Sequence, residues 1–149
     1  MSQSVLDQVP VLSMAELSKA DFAQGFGDSF QRFGFAMVRD HGMDPALIDA
    51  GWTLARDFFA LPEATKRAYD AKYNGGQRGY TAFGTEIAKG ASENDLKEFW
   101  HVGRDLPPGD PLAETMPPNV WPDELPAFHP VFTKLYAEFD RVGAELLSA

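Results

Sequence analysis

The sequence predicts an α+β fold, helical for the most part, with a few short strands between the helices. Three observations carry that expectation. Phe128, Phe132, Leu135, Phe139, Val142 and Leu146 step by four and three without interruption, the period of one helix face. Two runs, Phe35-Ala36-Met37-Val38 and Glu98-Phe99-Trp100-His101-Val102, are too short for helices and are bounded by turn residues. The 13 glycines and 11 prolines fall largely between such segments, where they punctuate rather than interrupt.

Taken in order, Val9-Pro10-Val11-Leu12 reads as a short extended segment, because proline lacks the N–H of a central strand. Ser13 with Glu16 has the spacing of a capping box, so a helical region is expected to start there. Phe22, Phe26, Phe30 and Phe33 then fall on one helix face as a core stripe, weakened by Gly25 and Gly27. The run from Phe35 to Val38 is expected to be a buried strand closed by a turn at His41-Gly42. Asp44-Pro45 opens a second helix whose inner face is expected to carry Ile48, Trp52, Ala55 and Phe59. Leu61-Pro62-Glu63 breaks it and starts a shorter helix running through Lys66 to about Asp70.

Asn74-Gly75-Gly76 reads as a joint, and the segment from Gln77 to Phe83 as extended. Lys89 to Asp95 reads as loop. In the strand that follows, alternation places Phe99 and His101 on one face and Glu98, Trp100 and Val102 on the other. Residues 105 to 126 are proline-rich and aperiodic, an irregular connection with Asn119-Val120-Trp121-Pro122 as a local anchor. The final helical pattern is still running at Ala149 without a glycine cap, a basic last turn or a proline stop, and so reads as cut in mid-helix.

Composition sets the bounds on function. A chain of 149 residues with 44% hydrophobic and 13% aromatic content can bury a core, and its length suits one domain. Its 22 acidic and 13 basic residues give a net charge of −9, which repels phosphate backbones and anionic lipid. Nucleic-acid and membrane-surface binding are therefore not expected. The absence of cysteine excludes disulfides, thiolate metal sites and a cysteine nucleophile. The N-terminal residues lack the basic and apolar regions of a secretory signal, and no apolar run reaches membrane length, so a soluble cytoplasmic protein is expected.

The residues do not spell a complete catalytic centre. His41, His101 and His129 are the only histidines, and none begins an HxD or HxE pair. Structural roles are expected for them, with His41 fixing its turn. No GxSxG, phosphate-cradling glycine loop or dinucleotide fingerprint occurs.

Six segments nevertheless stand together in a recognisable order. They are VPVL at 9–12, FGFAMVRDHG at 33–42, FFALPEATK at 58–66, RGYTAFG at 78–84, DLKEFWHV at 95–102 and NVWPDELPAFHPVF at 119–132. In this order they resemble the N-terminal region of the isopenicillin N synthase-like non-haem Fe(II)/2-oxoglutarate-dependent dioxygenases. One departure is Asp40, where that family commonly has asparagine before His-Gly; a short polar residue suits the turn in either case.

The resemblance implies a helical N-terminal section plus the first strands of a double-stranded β-helix, or jelly roll, with residues 1–149 forming the family's N-terminal region. It implies Fe(II) and 2-oxoglutarate as cofactors, with their ligands in a C-terminal half outside this chain, so that no catalytic or metal-binding residue carries over. It also implies a small-molecule substrate and O2 as the partners of the complete enzyme. Arg78, Tyr80, Phe99 and His101 are the residues it points to for substrate binding: Arg78 to pair a carboxylate, the other three to shape the pocket. Alone, the 149-residue chain is expected to be inactive and to expose strand edges that favour aggregation or a missing second half. The alternatives are a non-enzymatic interaction module that keeps the scaffold and binds through the helix from Phe128 to Leu146, and a family oxidase that does not use 2-oxoglutarate.

Overall fold

A computed structural model describes residues 9–70, 77–87, 90 and 93–148. The Asn74-Gly75-Gly76 joint lies outside the described residues, as do Lys89, Ala91 and Ser92 of the loop from Lys89 to Asp95. The element order is β1 (Val11–Ser13), α1 (Lys19–Phe33), β2 (Met37–Arg39), α2 (Pro45–Phe59), α3 (Glu63–Arg67), β3 (Gly79–Thr81), β4 (Phe99–His101) and α4 (Phe128–Leu147), with a 3-10 turn at Pro111–Glu114. Helices with a few short strands are the expected mixture. The chain packs as two compact units. The described residues up to Asp44 and those from Phe139 onward form one, and Pro45–Glu138 form the other.

In the first unit β1 and β2 pair in parallel, Val11 opposite Met37 and Ser13 opposite Arg39, which requires a crossover that α1 supplies. The helix begins later than expected. Ser13 Oγ does accept the N–H groups of Ala15 and Glu16, but these close a turn, and Glu16 pairs with Arg39 instead of reaching back. The N-cap is Ser18, whose Oγ accepts the Asp21 N–H at 3.1 Å and donates to the Asp21 carboxylate at 2.6 Å. The phenylalanine stripe is only partly core. The rings of Phe22, Phe26 and Phe30 touch in series at 5.7 and 5.0 Å, yet Phe22 is buried and Phe30 is half-exposed. Leu12 sits beneath α1, where a Cβ on Gly25 would stand 3.1 Å from its Cδ2.

β2 is a strand but not a buried one: Phe35 and Met37 are exposed, because a two-stranded parallel pair has one face packed under α1 and another that the described residues leave uncovered. After it, Asp40 takes a left-handed φ of 59°, held by donation from Ser13 Oγ at 2.6 Å and from Arg39 at 2.7 Å. His41 closes this turn. Its Nδ1 accepts the Met43 N–H at 3.2 Å, and its carbonyl accepts from Arg141 at 3.2 Å.

In the second unit α2 spans the expected residues but turns a different face inward. Leu47, Gly51 and Phe58 are buried, while Trp52, expected inside, is 69% exposed. The cause is steric: a Cβ at Gly51 would stand 2.5 Å from Leu135 Cδ1, so α2 approaches α4 through its glycine and the buried stripe is centred there. On α4, Phe128 and Leu135 are buried in this unit, while exposed Phe139 and buried Val142 further along the helix belong to the first unit. The core of this unit is aromatic: Phe58, Tyr80, Ala82 and Phe128, with Trp100, Tyr69, Trp121 and Phe132 against them. The Phe58 ring lies 4.6 Å from Trp100 and 5.9 Å from Tyr80, both near edge-to-face.

β3 is flanked on both sides. It pairs antiparallel with β4, Tyr80 opposite Trp100, and its Tyr80 N–H donates to the Tyr69 carbonyl at 3.0 Å just past α3. Gly79 makes that approach possible, because its φ is +81° and a Cβ there would stand 2.8 Å from the Tyr69 carbonyl oxygen. Gly79→Ala is therefore expected to lower the unfolding free energy by about 2 kcal/mol or more, read from the urea midpoint of the purified chain. An unchanged midpoint would contradict this account of β3.

Candidate functional site

The four residues expected at a substrate pocket do not share one surface. Since the Tyr80 N–H points to Tyr69, Tyr80 and Trp100 form the non-hydrogen-bonded, closely spaced pair of the β3–β4 ladder, both directed to the aromatic core. Tyr80 is 1% exposed, so its ring packs the core rather than an open pocket. Phe99 and His101 point the other way, opposite Thr81 and Gly79. Their rings lie 4.7 Å apart, Phe99 half-buried and His101 exposed, and Lys97 Nζ stands 5.6 Å from the Phe99 ring. Two hydrogen bonds, first to Asp95 and then to Glu86, raise the Lys97 pKa and keep it charged. Alternation along β4 produces this split, as the sequence pattern of Glu98 to Val102 implied.

Arg78 is buried, with Nη1 donating to the Gln77 carbonyl at 2.6 Å. Its guanidinium lies against Gly103, where a Cβ would stand 2.0 Å from Arg78 Cζ. Gly103 is fixed in turn by Asn119, whose Oδ1 accepts the Gly103 N–H and whose Nδ2 donates to the Gly103 carbonyl, both at 2.8 Å. The Asn119 amide thus prolongs β4 as a strand neighbour would, and its Nδ2 also donates to Asp105 at 2.7 Å. The anchor expected at residues 119–122 is this clamp, together with the stack of Trp121 on His129 at 4.6 Å.

Three residues escaped the sequence reading as site components. Lys66 on α3 and Glu98 before β4 are both largely buried and joined at 2.7 Å, and the Tyr80 hydroxyl donates to the same Glu98 oxygen at 2.5 Å. Lys66 Nζ also donates to the Phe59 carbonyl at 3.2 Å. The available signal was Glu98 itself: a carboxylate on the Trp100 face of a strand must meet cationic or hydroxyl donors when that face is buried. Asn119 is the third, and its role depends on a contact 16 residues away that no local pattern encodes.

A cavity of about 470 Å3 lies in the other unit, lined by Met14, Leu17, Lys19, Phe22, Ala144, Glu145 and Ser148. None of the four expected pocket residues borders it. Among the described residues no group of three or more histidine and carboxylate side chains is placed to hold a metal ion. No helix among them is long and apolar enough to cross a membrane.

Residues 9–124 match the family model described as non-haem dioxygenase in morphine synthesis N-terminal. The chain belongs to this non-haem dioxygenase family. A proline hydroxylase of Petromyces alliaceus is 30% identical over 151 residues, aligning 97% of this chain with 45% of that enzyme. A naringenin,2-oxoglutarate 3-dioxygenase of Matthiola incana is 36% identical over 98 residues, which are 62% of this chain and 27% of the plant enzyme. A Caulobacter crescentus protein assigned to the 2OG-Fe(II) oxygenase family superposes with a TM-score of 0.81 at 48% identity, over 93% of this chain and 46% of that one. A full-length Neurospora crassa protein in complex with alpha-KG superposes with a TM-score of 0.72 at 22% identity over 93% of this chain and 45% of that one, a likeness of fold. The dioxygenase chain described here therefore spans less than half the length of these relatives. Fe(II) and 2-oxoglutarate are the cofactors of such oxygenases.

The core position of Tyr80 has a consequence at high pH. Burial first, and then its hydrogen bond to Glu98, raise the Tyr80 phenol pKa well above its usual value. The unfolded chain gives up this proton first, so the contribution is complete below about pH 10 and is lost as pH rises beyond it. Tyr69, raised mainly by burial and then by Glu124, acts in the same window. Urea midpoints measured from about pH 9 to 12 should fall less steeply for Tyr80→Phe than for the unaltered chain. Identical slopes would show that the Tyr80 hydroxyl is not buried in this way.

Proposed function

We propose that this chain is the N-terminal region of an Fe(II)/2-oxoglutarate-dependent oxygenase that oxidises, by hydroxylation, a small molecule, and that its β3–β4 hairpin supplies one wall of the substrate pocket. On this reading the iron and 2-oxoglutarate ligands belong to the portion of the relatives that this chain does not span. β1 and β2, with their uncovered face, are outer strands of the jelly roll which that portion completes. When bound, the iron centre supplies the oxidising chemistry; residues 1–149 orient substrate and exclude water.

The observation that carries the proposal is the two-sided hairpin. Its inner face, Tyr80 and Trp100, is committed to the aromatic core, and its outer face presents Phe99 and His101 side by side. An aromatic ring beside an imidazole that can donate or accept a hydrogen bond suits a small polar substrate with an unsaturated or ring portion. Arg78, held on Gly103, is the group assigned to a substrate carboxylate, and Tyr80 backs the wall from within.

The test is made in the complete enzyme. His101→Ala is expected to raise the KM for substrate by about fivefold or more, while iron content and substrate-free succinate formation stay at the unaltered level. Loss of iron in proportion to activity would place His101 at the metal and overturn the assignment. The 149-residue chain alone is expected to form no succinate from 2-oxoglutarate; iron-dependent formation by that chain would contradict the division of roles.

A further inference from the structure

The β3–β4 ladder poses a problem that its apolar residues do not solve. β4 offers two aromatic rings in succession, Phe99 and Trp100, and either could fill the space beside Phe58. Because strand side chains alternate, a slip of one residue in either direction would turn Phe99 and His101 into the core and Glu98 and Trp100 out of it. Apolar burial alone distinguishes these arrangements weakly.

The polar groups distinguish them sharply. Glu98 lies two residues before Trp100 on the same face, so in the observed register its carboxylate reaches diagonally to Tyr80. One oxygen accepts both the Tyr80 hydroxyl at 2.5 Å and Lys66 Nζ at 2.7 Å. The Lys66 and Glu98 side chains are only 9% and 14% exposed. In a slipped register Glu98 leaves that face, and the Lys66 ammonium is left buried with the Phe59 carbonyl and no counter-charge. Lys66 itself cannot follow, since α3 is tied to β3 by the Tyr80 N–H bond to Tyr69.

We propose that Lys66, Glu98 and Tyr80 form a register lock that selects which face of β4 reaches the substrate pocket, and so act as positioning residues for Phe99 and His101. The functional consequence rests on the reading of the hairpin as pocket wall; the lock itself does not. A group that only adds stability slows all unfolding-limited exchange alike, whereas a register lock acts on the hairpin first.

The test is amide hydrogen exchange followed by NMR on the complete enzyme, with Tyr80→Phe and Glu98→Gln, which preserve side-chain shape, and the doubly apolar Lys66→Met/Glu98→Met. The amides of Thr81, Phe99 and His101 are expected to exchange about tenfold or more faster in both single variants, relative to amides in the middle of α4. The double variant is expected to show a second Trp100 indole N–H signal from the slipped register. Equal acceleration in hairpin and α4, or unchanged hairpin exchange in both single variants, overturns the lock whether or not the double variant folds. The readout involves no turnover, so the lock can fail while the pocket-wall reading stands, and a negative His101→Ala result can remove that reading while the lock stands.

Discussion

The second unit is organised around a single carboxylate oxygen. Glu98 Oε2 receives a phenol from β3 and an ammonium from α3, and it does so on the strand face that also carries Trp100 into the aromatic core. A charge in that position is tolerable only if both donors arrive, so helix, strand and strand are placed together or not at all. The packing of Phe58, Tyr80, Trp100 and Phe128 supplies most of the burial, but rings alone are permissive about register. The polar contact is what makes the arrangement unique.

That constraint connects the fold to the proposed activity. With Trp100 and Tyr80 fixed inward, alternation leaves Phe99 and His101 outward, and the Asn119 clamp extends the strand past His101 to the Gly103 on which Arg78 lies. The proposed pocket wall is backed on its reverse side by core. In the first unit the parallel pair of β1 and β2 has the opposite character, with an apolar face uncovered at Phe35 and Met37. On the proposed reading these are outer strands of a sheet that the rest of the enzyme completes.

Much of this was legible in the residues. The helix from Phe128, the proline-started helices at Pro45 and Pro62, and the face assignment of Phe99 against Trp100 all follow from periodicity, which depends on local geometry alone. What was not legible depended on partners. Trp52 belongs by period to the face expected inside, yet Gly51 sets the close approach to Leu135 and turns that face aside. Ser13 has the right spacing for a capping box, but its hydroxyl is also tied to Asp40 and Glu16 to Arg39, so a turn precedes the helix that Ser18 caps. Tyr80 was singled out with the pocket residues by resemblance; its place in the core follows from a cross-strand pairing with Trp100 that sequence alone does not fix.

The central claim is that one hairpin carries core on one face and an open wall on the other. Hydroxyl-radical footprinting of the folded chain, with mass spectrometry of the modified residues, addresses it directly. The account expects His101 to be modified readily and Phe99 in part, with Tyr80 and Phe58 protected until the chain unfolds. Ready modification of Tyr80 with protection of His101 would mean that the hairpin is turned the other way, and the account would be wrong.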